Sequence, residues 1–364
     1  MKNYKIELAS REDDKHIRKC LKENAMQGEI SVTFETEPSY FDALSVQGKE
    51  NRVIIGRTND GRIMGFGSIA IKPVFINGEV INVGYLSGLR VNKEFRRNLF
   101  LLRGYQLFRD VDPSLNVPFY LTTIIEDNLE ARRTLESGKA GMPQYNFFGT
   151  LSTFLVKPRK SSSKKKINIV RGNEVSLEDM VKFMNKEGSK KQFYPCIEEN
   201  DFGSDYLRGL SQEDFYVALN GSEIIGLVAK WDQESFKQTR VVGYDRKMRF
   251  ARPFINLASR FTKIPRLPSE GELLHYFYVS FPVVKDNNPE IMESLLSEVT
   301  SDPKNRHYDY FTIGTMENDT LTQSVRAFNP REYRSRLYLV SFDKNPEDLR
   351  FLNGMIPYLE LGSL

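Results

Sequence analysis

Apolar and polar residues alternate along Tyr4-Lys5-Ile6-Glu7-Leu8 and again along Ile167-Asn168-Ile169-Val170, the period of a strand with one buried face. Each stretch runs into an acidic helix start. Ser10-Arg11-Glu12-Asp13 precedes HIRKCLKENA, and Ser176-Leu177-Glu178-Asp179 precedes MVKFMNKEG. Ser176 and Asp179 stand at the spacing of a capping box written with an acid. Further along, VIIGRTNDGRIMGFGSIAI predicts two strands joined at Asn59-Asp60-Gly61, and FYVALNGSEIIGLVAKW predicts the same around Asn220-Gly221. Asp-Gly and Asn-Gly supply the positive φ that tight hairpins need. Gly65 and Gly226 fall at matching places in these hairpins, 161 positions apart.

A third pair of landmarks follows. YLTTII (120–125) runs into Glu126-Asp127-Asn128, and FTIGTM (311–316) runs into Glu317-Asn318-Asp319. The offset is larger here because the second half holds a surplus at 245–271, basic and aromatic, which reads as an inserted helix and a proline-rich turn. With it removed, both halves run strand, helix, hairpin, long strand, helix, strand, helix, strand. The expectation is one fold used twice, each copy a mixed α/β sheet with helices on its faces. The predicted boundaries are a first domain at 1–156, a linker at 157–166, a second domain at 167–345 and a tail at 346–364.

Composition narrows this picture. The chain has 364 residues, 40% hydrophobic and 12% aromatic, enough for two cores and incompatible with a disordered or fibrous chain. The net charge of +4 is local: KPRKSSSKKK, 157–166, carries six positive charges and no negative ones. The rest of the chain has no basic excess, which argues against a nucleic-acid binder. The two cysteines, Cys20 and Cys196, exclude a disulfide scaffold. His16, His275 and His307 lack metal-ligand spacing, and no metal is expected. No apolar run reaches the length of a membrane span and the start lacks a signal-peptide core, so a cytoplasmic location is expected.

The first half resembles the GNAT superfamily of acyl-CoA-dependent N-acyltransferases. The likeness rests on the hairpin DGRIMGFGSIAI, on the strand ending Tyr85-Leu86-Ser87-Gly88-Leu89-Arg90-Val91, on NKEFRRNLFLLRGYQLFRD, and on Glu126-Asp127-Asn128-Leu129-Glu130-Ala131. The resemblance implies that Leu89, Arg90 and Val91 pair with the pantetheine arm of acetyl-CoA or another acyl-CoA. It implies that Arg96, Arg97, Asn98, Leu99, Phe100 and Leu101 form the pyrophosphate loop, with Asn128 opening the late helix. A strand-to-helix turn offers backbone N–H groups and a partial positive charge to a phosphate. The family writes that loop Arg/Gln-x-x-Gly-x-Gly/Ala; here the Arg stands at Arg96, while Leu99 and Leu101 replace both glycines and Lys93 replaces a usual proline.

Acyl transfer to an amine needs a base, donors for the thioester oxygen and an acid for the leaving thiolate. The family's tyrosine acid, seven residues after the helix asparagine, is Leu135 here, so Tyr145 is the substitute candidate. Glu126 is the candidate base, against the alternative that it merely caps a helix. Ser87-Gly88 marks an expected bulge beside the acyl site. The second half lacks the loop and carries acids in its place, so no cofactor site is expected there. The resulting reading is an N-acetyltransferase acting on the amine of a small molecule or peptide. A catalytically inactive ligand-binding or scaffold protein and an aminoacyl or long-chain acyl transferase stand as alternatives, and a homodimer stays open.

Overall fold

The computed structural model describes residues 4–96, 100–139, 141–158, 167–259, 261, 266–342, 352 and 354–364. The first half contains β1 (Tyr4–Leu8), α1 (Asp14–Glu23), β2 (Ile30–Glu35), α2 (Tyr40–Leu44), β3 (Glu50–Thr58), β4 (Ile63–Ile76), β5 (Glu79–Val91), α3 (Phe100–Leu115), β6 (Tyr120–Ile125), α4 (Leu129–Leu135) and β7 (Gln144–Val156). The second contains β8 (Asn168–Arg171), α5 (Leu177–Gly188), β9 (Phe215–Asn220), β10 (Glu223–Trp231), β11 (Gln238–Tyr244), α6 (Arg246–Ala258), β12 (Tyr276–Val284), α7 (Pro289–Ser301), β13 (Tyr310–Met316), α8 (Leu321–Arg326) and β14 (Arg331–Ser341). Capping chemistry sets several helix starts. Ser10 and Asp13 form a reciprocal capping box, the Ser176 hydroxyl accepts the Asp179 N–H, and the Asn288 side chain accepts the Glu290 N–H ahead of Pro289.

Twelve strands form one mixed sheet in the order β1-β3-β4-β5-β6-β14-β7-β13-β12-β10-β9-β8. β5–β6 and β12–β13 pair in parallel, and the other neighbours are antiparallel. Each half gives its last strand to the other. β7 pairs with β13, Phe154 opposite Ile313, while β14 pairs with β6, Leu339 opposite Leu121. β7 and β14 then pair with each other at the centre. The order therefore reads the same from either edge. α3 and α7 cover one face of the sheet; α1, α2, α5 and the segment 356–364 cover the other.

The hairpin glycines have a packing role. Gly56 and Gly65 face each other across β3 and β4, and the buried ring of Phe100, the first residue of α3, fills the space above them. A Cβ on Gly65 would lie 2.4 Å from the Arg90 carbonyl oxygen, and one on Gly56 would lie 1.9 Å from the Phe100 ring. Gly226 holds the corresponding place opposite Val284, under Ile291 of α7. Gly65→Ala meets backbone that cannot yield cheaply, so it is expected to lower stability by about 2–3 kcal/mol. A urea midpoint equal to the wild type would contradict this packing account.

Some elements differ from the sequence expectation. β2 pairs antiparallel with β11 in a separate two-stranded sheet that joins the halves, Val32 opposite Val241. β12 begins at Tyr276 and runs to Val284, three residues later than the expected 273–281. Most of the expected linker, 159–166, lies outside the described residues. Within the described part of the expected tail, Tyr358, Leu359, Glu360 and Ser363 are buried inside the protein.

Candidate functional site

The strands β5 and β6 pair only through Gly84↔Tyr120 and Tyr85↔Leu121 and then part. Two hydrogen bonds bridge the start of the opening. The Thr122 hydroxyl donates to the Leu86 carbonyl at 2.8 Å, and the hydroxyls of Tyr85 and Thr123 lie 3.3 Å apart. Beyond them the β6-facing edge of β5, through Val91, has no strand partner among the described residues. β5 is also bulged there. Its register against β4 shifts between Phe66 and Ser68, and Gly88 has φ +66°, a left-handed conformation that glycine adopts at no steric cost. A wedge-shaped notch results, with a free strand edge on one side and the start of α3 at its mouth.

A polar row lines the face of the sheet covered by α1 and α2. Ser68 and Tyr40 share a hydrogen bond through their hydroxyls, and the Ser87 hydroxyl donates to Gln47 Oε1 at 2.5 Å. Half-buried Arg90 donates to its neighbour's carbonyl, Leu89 O, at 3.0 Å and has no acidic partner among the described residues. Desolvation holds its guanidinium below the usual arginine range. Lys72 is 2% exposed, with its ammonium 4.9 Å from the centre of the Tyr85 ring and 3.5 Å from the Ser363 carbonyl oxygen. Burial pushes Lys72 down to about 8 and does the same to Lys237, whose ammonium lies 3.1 Å from the Leu364 oxygen. Burial also raises the Tyr85 phenol to about 12. Tyr85, Ser87 and Arg90 lay in the strand motif read from the sequence, whereas Tyr40, Gln47, Ser68, Lys72 and Lys237 were missed. The signal available was a lysine inside the apolar run SIAIKPVFI.

Among the residues expected from the sequence, Leu89, Arg90 and Val91 lie on the free edge of β5. Arg96 is exposed at the mouth, with its Nε 3.3 Å from the Val91 carbonyl oxygen and its guanidinium 3.4 Å from Glu130. Phe100 and Leu101 begin α3, and both pack inward. Arg97, Asn98 and Leu99 lie outside the described residues. Asn128 caps α4, accepting the Ala131 N–H at 3.1 Å. Glu126 ends up just past β6, ion-paired to Arg334 of β14 at 3.0 Å. Tyr145 is on the α3 face of the sheet, its hydroxyl 2.5 Å from that of Tyr105, and burial pushes its phenol well up. Glu126 and Tyr145 share no hydrogen bond among the described residues.

No protein-family profile matches the chain, and no curated protein matches it by sequence. Solved structures do match. The N-myristoyltransferase of Saccharomyces cerevisiae, with bound myristoyl-CoA, superposes with a TM-score of 0.59 at 13% identity, over 97% of this chain and 89% of that one. The fold is that of the GNAT N-acyltransferases. A conserved protein of unknown function from Enterococcus faecalis V583, described as a probable N-acyltransferase, shares this GNAT fold with a TM-score of 0.52 at 10% identity, over 93% of this chain and 73% of that one. A GCN5-related glucosamine N-acetyltransferase region in a fungal β-N-acetylglucosaminidase gives 0.59 at 12% identity, over 94% of this chain and 38% of that one.

The second GNAT-like opening, between β12 and β13, is filled by the protein itself. These strands pair over Tyr276–Tyr278 and then separate. The segment 358–362 enters the gap. Glu360 accepts the Phe281 N–H at 2.6 Å and the Gly362 N–H at 2.8 Å, and also bonds the Tyr358 hydroxyl. Leu361 packs 3.5 Å from where a Cβ on Gly314 would stand. Phe281 has φ +52°, the counterpart of the Gly88 bulge. Where the first opening leaves strand edge free, the second gives it to an internal carboxylate. No group of three or more His, Cys, Asp and Glu among the described residues is arranged to hold a metal, and no described helix is long and apolar enough to cross a membrane.

Proposed function

We propose that the protein is an acyl-CoA-dependent N-acyltransferase whose donor site is the β5–β6 notch. The observation that carries this reading is the free, bulged edge of β5 with the unpaired cation of Arg90 beside it. An extended amide-containing arm such as pantetheine can complete the edge of a parted sheet with strand-like hydrogen bonds, in the manner of β-augmentation. The first N–H groups of α3 have no intrahelical acceptors, and the helix dipole adds partial positive charge for a pyrophosphate. Arg96, at the mouth, supplies further charge. With Phe100 and Leu101 turned into the core, the side chains of these two residues need not crowd a phosphate at the backbone. Arg97, Asn98 and Leu99 belong to the proposed loop on the family resemblance alone.

The acceptor amine would approach from the polar row on the α1–α2 face, where Tyr40, Ser68 and Ser87 offer hydroxyls. Glu126 is tied to Arg334 and Tyr145 to Tyr105, so neither is assigned a proton-transfer role. The myristoyl-CoA of the yeast neighbour makes a long-chain donor worth testing beside acetyl-CoA. Isothermal titration with acetyl-CoA, myristoyl-CoA and CoA tests the proposal. Binding is expected for at least one thioester, and Arg90→Glu is expected to weaken it about tenfold or more. No heat with any of the three up to millimolar ligand would leave the scaffold reading standing instead.

A further inference from the structure

The strongest feature outside the notch is α6, inserted between β11 and β12. None of its residues is buried, yet it is firmly seated. Met248 and Ile255 pack on Val241, Tyr244 and Leu267. Arg252 donates to the Leu267 carbonyl at 3.1 Å and to the Ser269 hydroxyl at 2.9 Å, and Asn256 donates to the same carbonyl. Seated this way, the helix turns an apolar stripe outward. Phe250 is 71% exposed, Phe254 75% and Leu257 58%, at the i, i+4, i+7 spacing of one helix face, and Phe261 just beyond the helix is 84% exposed. Isolated surface apolar residues need no explanation, but a contiguous phenylalanine-rich ridge does.

The charge around the ridge is one-sided. From 246 to 266 the sequence holds seven arginines and lysines and no acid. Arg246 and Lys247 flank the stripe, 100° apart on an ideal helix, and neither has an acidic partner among the described residues. Arg249 meets Glu270 at 3.1 Å and Arg266 meets Glu272 at 3.3 Å, both outside the stripe. Lys157, the first residue of the lysine-rich run, donates to the Ser259 carbonyl at 3.0 Å, which brings the head of that run to the end of α6. We infer that α6 docks the protein on an anionic lipid bilayer, with Phe250, Phe254 and Leu257 entering the acyl boundary and Arg246 and Lys247 held at the headgroups. An apolar face flanked by cations, on a helix whose other face is fixed to a folded protein, suits that interface. A single-stranded nucleic acid would engage Arg246 and Lys247 and stack on the two rings but leave Leu257 of the stripe without a partner, whereas a bilayer takes all three apolar side chains.

Vesicle flotation with the full chain tests this inference. The protein is expected to float with vesicles of phosphatidylglycerol and phosphatidylcholine, and not with phosphatidylcholine alone at moderate salt. Phe250→Glu combined with Phe254→Glu is expected to reduce the bound fraction about tenfold or more while the far-UV circular dichroism melt stays at the wild-type midpoint. Because both side chains already face solvent, the variant should fold; should it not, Arg246→Glu with Lys247→Glu gives the second reading and is also expected to abolish flotation. No flotation with anionic vesicles would overturn the inference. So would equal flotation of wild type and variants, tighter binding to single-stranded RNA than to vesicles, or a lipid-free dimer that the phenylalanine substitutions dissolve.

Discussion

Replacing Lys72 by methionine is expected to stabilise the protein at neutral pH. Lys72 ionises near 8 in the fold against 10.5 for an ordinary lysine, because its ammonium is buried. A group that holds its proton more weakly when folded makes the folded state less favourable whenever the proton is on. The cost is about 3 kcal/mol, complete below pH 8 and gone as pH rises to the unfolded value near 10.5. The Lys72 contribution should therefore rise between pH 8 and 10.5, so the advantage of Lys72→Met over wild type should shrink across that range, while Lys237 and the buried tyrosines are common to both proteins. Methionine fills a similar volume without a charge. Urea midpoints measured across that range decide the matter. A variant no more stable than wild type at pH 7, or an advantage that does not shrink with rising pH, would show that the buried ammonium is better compensated than its surroundings suggest. Glu360 is the nearby opposite charge, and burial raises its own pKa.

The second large effect is expected from dividing the chain between 158 and 167. A protein made of residues 1–158 alone should fail to give a cooperative unfolding transition. β6 would lose β14, its partner along Tyr120–Ile125. β7 would lose both neighbours and expose Leu151, Phe154 and Val156, all buried in the intact sheet. Such an edge is an aggregation template. Co-expression of 1–158 with 159–364 should restore a soluble complex, because the exchanged strands can pair in trans. Size-exclusion chromatography and a thermal melt of the first fragment test this directly. A sharp melt of 1–158 alone would show that β7 can fold back beside β6 without its partner.

The local chemistry of the chain was legible in advance, and the long-range pairings were not. Asn-Gly and Asp-Gly turns and the Ser10 and Ser176 caps each need only a few adjacent residues to declare themselves, and each stands where expected. The Gly65–Gly226 correspondence was readable because a fixed offset ties two local patterns together. Nothing local tells β7 that its neighbour is β13 instead of β6, since both are short, largely buried strands that run parallel to the strand before them. β2 was invisible for the same reason: its partner β11 lies some two hundred positions away. At the site, the strand edge Leu89–Val91 was placed by motif. Tyr40, Ser68 and Lys72 were missed because they gain meaning only once α2 sets Tyr40 on Ser68 and the end segment sets Ser363 on Lys72. The tail failed differently. IPYLELGSL looks like an ordinary terminal stretch until Glu360 is seen accepting the Phe281 N–H.

The exchange of β7 and β14 also limits how the protein can move. The two halves share an eleven-residue ladder through Arg331–Ser341, with further ladders on both sides. A hinge between them would have to break central sheet hydrogen bonds, which belong to the most slowly opening class in any protein. The frame around the notch is thus stiff. Whatever admits an acceptor must come from the cover on its face: α1, α2 and the β2–β11 ribbon, whose two strands pair with each other and, among the described residues, with no strand of the large sheet. Hydrogen exchange should therefore find the fastest-opening backbone in that cover, while β7 and β14, paired along both edges, stay protected.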